Sequence, residues 1–457
     1  MLPPVAIVLN RRFRTPTDDG PFPVGASHFS LVAAHALAEA ACFAGFILYH
    51  RTPGIQTPSL NRSHFLDYPA LELNFDFGVK ESLLRSTLQS ALEQLSPSPP
   101  SSRTLDGLPP LLYHQTGVLL PYAPQDRGLV THHGPFVSDV VRLLGKDRAQ
   151  GAFRGGREKM IYLEQAQRAG LEVLRSSPGI YALEISAVQE KSLISQGIPT
   201  VRVLRAAPPV VVHSSESGED DPPQQVEEFI DNASKGLLLL TAASRLDDFK
   251  NIRDLVDAAS RLRGEGLDIF VLIAGDSHDR TTERDALKSR ILHSQDEFFL
   301  FVERFPRKQM LNVFRRARGI GVFVFSSVFE TFGMTPLEAL CCGLTTVVPD
   351  LPRWIGVAEY IPSHLRFKPG VEGLTELLKC ILQNRSLLQE GEWIAEKLRD
   401  LVGYRRFQQD LLRAVAIAGS VRSRHPVSPS SAPGRTCTPA THACVRSSKP
   451  PRTRSRR

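Results

Sequence analysis

The second half of the chain repeats one pattern, a short apolar run, a polar loop and then an amphipathic stretch. "GLLLLTAAS" (236–244), "DIFVLIAGD" (268–276), "FFLFVERF" (298–305), "GIGVFVFSS" (319–327) and "TTVVPD" (345–350) are brief and nearly continuously apolar. Such runs predict strands buried on both faces. Between them, Ile252 to Leu262 spaces Leu255, Ala258, Ala259 and Leu262 as one helical face, and "TERDALKSRILH" (282–293) and "RKQMLNVFRRA" (307–317) predict further helices. Buried strands alternating with amphipathic helices imply a parallel sheet covered on both sides.

The first half carries the same signal less cleanly. "PVAIVLN" (4–10) and "CFAGFILYH" (42–50) predict strands, with the Gly/Pro loop "PFPVGAS" (21–27) and the helix "SHFSLVAAHALAEA" (27–40) between them. Strand, glycine-containing loop and helix in that order predict a doubly wound α/β unit. "LLYHQTGVLLPY" (111–122) and "GLVTHH" (128–133) resume strand patterning, and residues 158–174 predict a helix. "SPSPPSSRTLDGLPP" (96–110) reads as an internal loop, and the acidic, Pro-rich "VVHSSESGEDDPPQQ" (211–225) as an interdomain linker.

Composition narrows the class. The chain has 457 residues, enough for two domains, with 42% apolar and 23% charged side chains. The net charge of +7 is misleading, because nine basic residues and no acid lie beyond residue 420. The rest holds 46 basic against 48 acidic residues, which gives no nucleic-acid signature. Residues 419–457 lack apolar periodicity and are expected to be disordered. Their charge raises a second reading, a weak tether to an anionic membrane surface. Six scattered cysteines without CxxC spacing fit a reducing compartment. The start, "MLPPVAIVLNRRF", reverses the charge order of a signal peptide, so a cytoplasmic location is expected, with peripheral membrane contact as the variant the tail allows.

The chemistry lies in loops that follow strands. In "SRLDDFKN" (244–251), Arg245 and Lys250 flank a strand-to-helix loop and could converge on a diphosphate, or be two solvated charges. In "ETFGMTPLEALCCGLT" (330–345), Thr335, Pro336 and Glu338 fit a capping box, with threonine as the N-cap. That reading accounts for Glu338 but not for Glu330, nor for Gly333, where a missing side chain lets a ligand approach the backbone. A helix start here offers N–H groups and a positive dipole end to an anion.

"SRLDDFKN", then "VLIAGD", then "SSVFETFGMTPLEALCCGLTTVV" together resemble the donor domain of family 4 retaining glycosyltransferases, whose fold is GT-B: two Rossmann-like α/β domains facing a cleft. The resemblance is strong over roughly 236–350, where Glu330 and Glu338 fit the family's pair of glutamates separated by seven residues. It implies that Glu330 serves the donor sugar near the anomeric centre and Glu338 the nucleotide ribose. It places Arg245 and Lys250 on the diphosphate, with the backbone of Gly333, Met334 and Thr335 beside phosphate and sugar. Upstream, Gly25 stands where the family has a glycine-rich loop facing the donor phosphate, without the usual glycine pair. "LVTHHGPF" resembles the family's Thr-x-His segment, which puts His133 near the sugar's C6 hydroxyl and the reaction centre; by itself His133 reads equally as a loop or core histidine. Two segments depart from the family: "LRAAPPV" replaces an Asn-Gly turn before the linker, and "LPRWIG" replaces a glycine pair after "VVPD".

The implied organisation is an N-terminal acceptor domain (1–210), a linker (211–235), a donor domain (236–385), C-terminal helices packing back on the first domain (386–418) and the basic tail (419–457). The implied activity is transfer of a hexose-type sugar with retention from a nucleoside-diphosphate sugar, the donor substrate, to an unidentified saccharide or lipid-linked acceptor. No Asp-x-Asp motif occurs, so no metal ligands and no cofactor are expected. A catalytically silent relative that binds nucleotide-sugar or a partner subunit, and a GT-B epimerase, remain as alternatives.

Overall fold

The computed structural model describes residues 2–13, 25–96, 109–124, 127–153, 156–212, 221–243, 246, 248–275, 281–303 and 305–420. Arg245, most of the acidic segment before residue 221 and the basic tail from 421 lie outside them.

Two sheets organise the chain. The first contains β1 (Val5–Asn10), β2 (Phe43–Arg51), β3 (Ser59–Phe65), β4 (Tyr68–Phe75), β5 (Leu111–His114), β6 (Arg127–Val130), β7 (Gly179–Glu184) and β8 (Val203–Arg205). Its order is β3-β4-β2-β1-β5-β6-β7-β8. β3 runs antiparallel to β4, and the other neighbours are parallel. The second contains β9 (Leu237–Ala243), β10 (Ile269–Gly275), β11 (Phe299–Val302), β12 (Gly321–Val324), β13 (Thr346–Pro349) and β14 (Arg366–Phe367), in the all-parallel order β11-β10-β9-β12-β13-β14. The "LLLL" run of β9 is fully buried, as a central strand covered by helices on both faces must be.

Both orders reverse direction once. In the first sheet the chain starts at β1 and is flanked by β2 and β5; in the second it starts at β9 and is flanked by β10 and β12. At such a reversal the connections leave to opposite faces, and a crevice opens outside the carboxyl ends of the strands. The loops after β1 and β5, and those after β9 and β12, are therefore where ligands can enter.

Several expected elements change. The segment expected as linker (211–235) includes a helix, Gln224–Ala233, which buries Val226, Ile230 and Ala233 and sets Phe229 edge-on to Phe270 of β10. "LLYHQTGVLLPY" is not one strand: β5 ends at His114, and Gly117–Tyr122 forms a 3-10 turn under Pro121. The loop "PFPVGAS" stops at its glycine, since a helix already begins at Gly25 (Gly25–Glu39). The β3–β4 hairpin and the helix Glu81–Leu95, on residues with no sequence-based expectation, widen the first sheet and cover it.

The C-terminal helices divide between the sheets. Glu390–Leu401 packs on the helix Met334–Cys341 beside the second sheet. Tyr404–Ser420 lies on β6 and β7 of the first sheet, where Phe407 meets Phe29 edge-on at 5.4 Å and the Tyr404 hydroxyl donates to Glu39 at 2.7 Å. A shared apolar cluster joins the two halves: Phe249 and Phe329, from loops after β9 and β12, pack with Val137, Val140, Met160 and Val188.

Candidate active site

The two crevice loops of the second sheet are stitched together. The Ser326 hydroxyl donates to the Lys250 carbonyl at 2.8 Å, and the Val328 amide to the Phe249 carbonyl at 3.0 Å. These bonds bring residues 80 positions apart within reach, and Lys250 Nζ donates to Glu330 Oε2 at 2.5 Å. Both side chains are about a fifth exposed, 18% and 24%, so the pair is shielded yet open to a ligand. Glu330 is fixed by its backbone: its amide donates to Trp354 O at 2.8 Å, and its carbonyl accepts from the Gly356 amide at 2.9 Å. Segment 351–356, where the sequence departs from the family, thus supports the Glu330 backbone, and Trp354 stacks beside Phe329 at 5.9 Å.

The helix after Glu330 starts two residues earlier than a capping box requires. Its N-cap is Gly333, at φ 95° and ψ 65°, and the helix runs Met334–Cys341. The left-handed backbone at Gly333 suits glycine, and a Cβ there would crowd Val357 and Pro336 at 3.1–3.2 Å. Thr335 is therefore a helical residue and not the cap. Glu338 is engaged elsewhere, its Oε1 accepting from Arg307 Nε at 2.6 Å. Arg307 also donates to the carbonyl of Val211, at the start of the interdomain segment, at 2.9 Å. Met334 and Thr335 form the first turn of this helix, whose opening amides have no intrahelical acceptor.

The first sheet contributes His133, just beyond β6. Its Nε2 lies 2.8 Å from Gln115 Oε1, and Phe29 packs edge-on at 5.0 Å. Burial, and then the neighbouring His132, push the imidazole down to about 3. The ring is neutral at physiological pH; with Gln115 Oε1 as acceptor, Nε2 carries the proton and Nδ1 is left as an acceptor. The Thr331 hydroxyl donates to the His133 carbonyl at 2.9 Å, tying the Glu330 loop to this residue.

Gly25 begins the helix that follows β1, and open space surrounds the position of an added Cβ. One turn on, burial and then the Arg307 charge lower His28 to about 4, so this turn lies in reach of the Arg307–Glu338 pair. The structure thus groups Lys250, Glu330, Gly333, Met334 and Thr335 at the second crevice, links His133 to them through Thr331, and leaves Arg245 outside the described residues. Arg307, Thr331 and Gln115 were not singled out in the sequence. A cation directly after Pro306 at a helix start was the available signal for Arg307; Thr331 and Gln115 offered none.

Among the described residues, no group of three His, Cys, Asp or Glu side chains could hold a metal ion, and no helix is long and apolar enough to cross a membrane.

The two-domain architecture is the GT-B fold. The Thermosynechococcus elongatus sucrose-phosphate synthase superposes with TM-score 0.61 at 15% identity, covering 90% of this chain and 98% of that one. A glycosyltransferase of Rickettsia africae gives 0.60 at 12% identity, covering 92% and 100%. WaaG, a glycosyltransferase of lipopolysaccharide biosynthesis, gives 0.55 at 13%, covering 91% and 100%. No curated protein sequence matches the chain. Residues 224–390 match the family described as Glycosyl transferases group 1.

Proposed function

We propose that the protein transfers a sugar, with retention and without a metal, from a nucleoside-diphosphate sugar held on the second sheet to an acceptor held on the first. The observation that carries this reading is the Lys250–Glu330 pair at the β9/β12 crevice, beside the Gly333-capped helix start. An ammonium has three N–H donors, so Lys250 can keep Glu330 and still reach a phosphate oxygen. Glu330 then accepts from the sugar hydroxyls, Glu338 from the ribose hydroxyls, and neutral His133 from a further sugar hydroxyl through Nδ1. Gly25, and Arg245 by its place in the loop after β9, are assigned to the diphosphate.

Departure of a diphosphate from an oxocarbenium-like sugar is the costly step. Preorganised donors aimed at that charge are each worth on the order of 3 kcal/mol. Lys250 and the amides of the helix start supply them. The acceptor hydroxyl adds to the anomeric carbon on the face the diphosphate leaves, and a departing phosphate oxygen takes its proton. The Anabaena protein HepE, which has the same fold (TM-score 0.58, 12% identity, 90% and 99% covered), has been solved with UDP-glucose, consistent with such a donor.

The test is turnover of UDP-, GDP- and ADP-linked hexoses, followed by NMR of the anomeric proton with a chelator present. The reading expects slow donor hydrolysis or transfer whose first-formed product keeps the donor's anomeric configuration. Inverted product would remove the retaining assignment, and no turnover of any donor would remove the enzymatic one.

A further inference from the structure

The other crevice, outside β1 and β5, has chemistry that the donor reading does not use. Asn10 ends β1, Arg12 follows it, and Tyr49 and Arg51 close β2 next door. The Tyr49 hydroxyl is 2.8 Å from Thr116 Oγ1, two residues past β5, and also bonds Asn10. From the helix Gly156–Ser176, Lys159 and Tyr162 reach this edge: Lys159 Nζ lies 4.8 Å from the Tyr162 ring centre and the Arg51 guanidinium 5.9 Å from it. Three cations therefore share one aromatic-walled corner. Arg51 is balanced by Asp76 at 2.9 Å. Among the described residues no carboxylate pairs with Arg12 or Lys159. The corner is costly as it stands: burial, then Arg12 and Arg51, hold Lys159 below the ordinary lysine range.

We infer that this corner binds a phosphate group on the acceptor. Two uncompensated cations match a phosphomonoester, which carries about −1.5 to −2 at neutral pH, better than a single carboxylate. Its position fits an acceptor, because Gln115 bonds His133 while the next residue, Thr116, bonds Tyr49. Adjacent residues thus join the phosphate corner to the candidate reaction centre. The inference rests on the donor reading for its placement of the reaction, but the anion site itself can be measured without turnover.

The experiment titrates glucose 6-phosphate, glucose and inorganic phosphate into the full chain, and mixes the chain with neutral vesicles with and without a polyprenyl phosphate. Wild type is compared with Arg12→Gln/Lys159→Gln and with Lys159→Arg, and UDP, GDP and ADP binding is recorded in the same samples. Binding of glucose 6-phosphate at least tenfold tighter than glucose, lost in the double variant and kept in Lys159→Arg, supports a soluble phosphorylated acceptor. Polyprenyl-phosphate-dependent vesicle binding with the same variant pattern supports a lipid-linked one. If neither occurs, or the double variant binds as wild type does, the phosphate corner is refuted. Failure to bind any nucleoside diphosphate while the phosphate response persists refutes the donor reading instead. Preserved nucleotide affinity in the double variant shows that it is folded, and a variant that fails this check is replaced by Lys159→Gln alone, judged by the same criteria.

Discussion

The Thr331 hydroxyl donates to the backbone carbonyl of His133 across 2.9 Å, linking residues 198 positions apart and the loops of two different sheets. One loop carries Glu330 and the other carries the imidazole assigned to the donor sugar, so this bond sets their relative position. Thr331→Val keeps the shape and removes the donor. It is expected to cost about 0.5–1.5 kcal/mol of stability in urea unfolding. Turnover should fall several-fold, and nucleoside-diphosphate affinity should stay within about twofold, because Thr331 does not touch the nucleotide in this scheme. Unchanged turnover would show that the bond only joins the halves.

Glu338 separates the ribose role from a structural one. In this structure its carboxylate is held by Arg307, so it is not spent on capping its own helix. Glu338→Gln keeps an acceptor for Arg307 and should lower the melting temperature little. If the ribose hydroxyls bond this carboxylate, the change weakens ribonucleoside-diphosphate binding by about 1.5–3 kcal/mol, the range for hydrogen bonds to charged groups. It should also erase the preference for a ribose over a 2′-deoxyribose nucleotide. Equal loss for both sugars would place Glu338 away from the ribose.

Three histidines give the protein an acid-sensitive stability. Burial lowers His114 to about 3, His133 to about 3 and His28 to about 4, from an ordinary 6.5. In the unfolded chain they gain protons as pH falls through 6.5, while the folded state refuses them until its own depressed values. Their stability contribution is therefore complete above about pH 6.5 and is lost as pH falls toward 4 and then 3. Near pH 5.5 each adds a slope of roughly 1.4 kcal/mol per pH unit. His114 is fully buried, and neither ring nitrogen has a hydrogen-bond partner among the described residues. His114→Leu should reduce that slope by about a third of the three-histidine total without loss of melting temperature at pH 7.5. A slope unchanged in the variant would contradict the assignment.

The sequence was most legible where burial is uniform. β9, β10 and β12 are apolar on both faces, and their runs stand out against polar loops, so the second sheet and its crevice could be inferred from pattern alone. Elements set by contacts were not. The helix Gln224–Ala233 hides beside Pro222 and Pro223, in a segment whose acidity reads as linker, and its Val226, Ile230 and Ala233 face becomes meaningful only against the second sheet. "TGVLLPY" has strand composition but turns at Gly117, whose carbonyl lies so close to Gly170 of a neighbouring helix that a Cβ on Gly170 would meet it at 2.7 Å. At the site, the glutamates and Lys250 could be picked out, yet their pairing over 80 positions could not. The Thr-Pro-Leu-Glu capping pattern was a false local match, overridden by the left-handed conformation of Gly333. Arg12, Arg51 and Lys159 share no local pattern; sheet order brings the first two together, and the packing of the helix Gly156–Ser176 adds the third.

The central claim, that a nucleoside diphosphate binds where Lys250, Glu330 and the Gly333-capped helix meet, is tested most directly by calorimetric titration of UDP, GDP and ADP. Wild type is compared with Lys250→Met, which keeps most of the stem and removes the charge. At least one nucleotide should bind wild type saturably, and Lys250→Met should weaken it by roughly ten- to a hundredfold, the loss of one charge-assisted contact. Wild-type affinity in Lys250→Met, or no binding of any of the three nucleotides to the wild-type chain, would contradict the account.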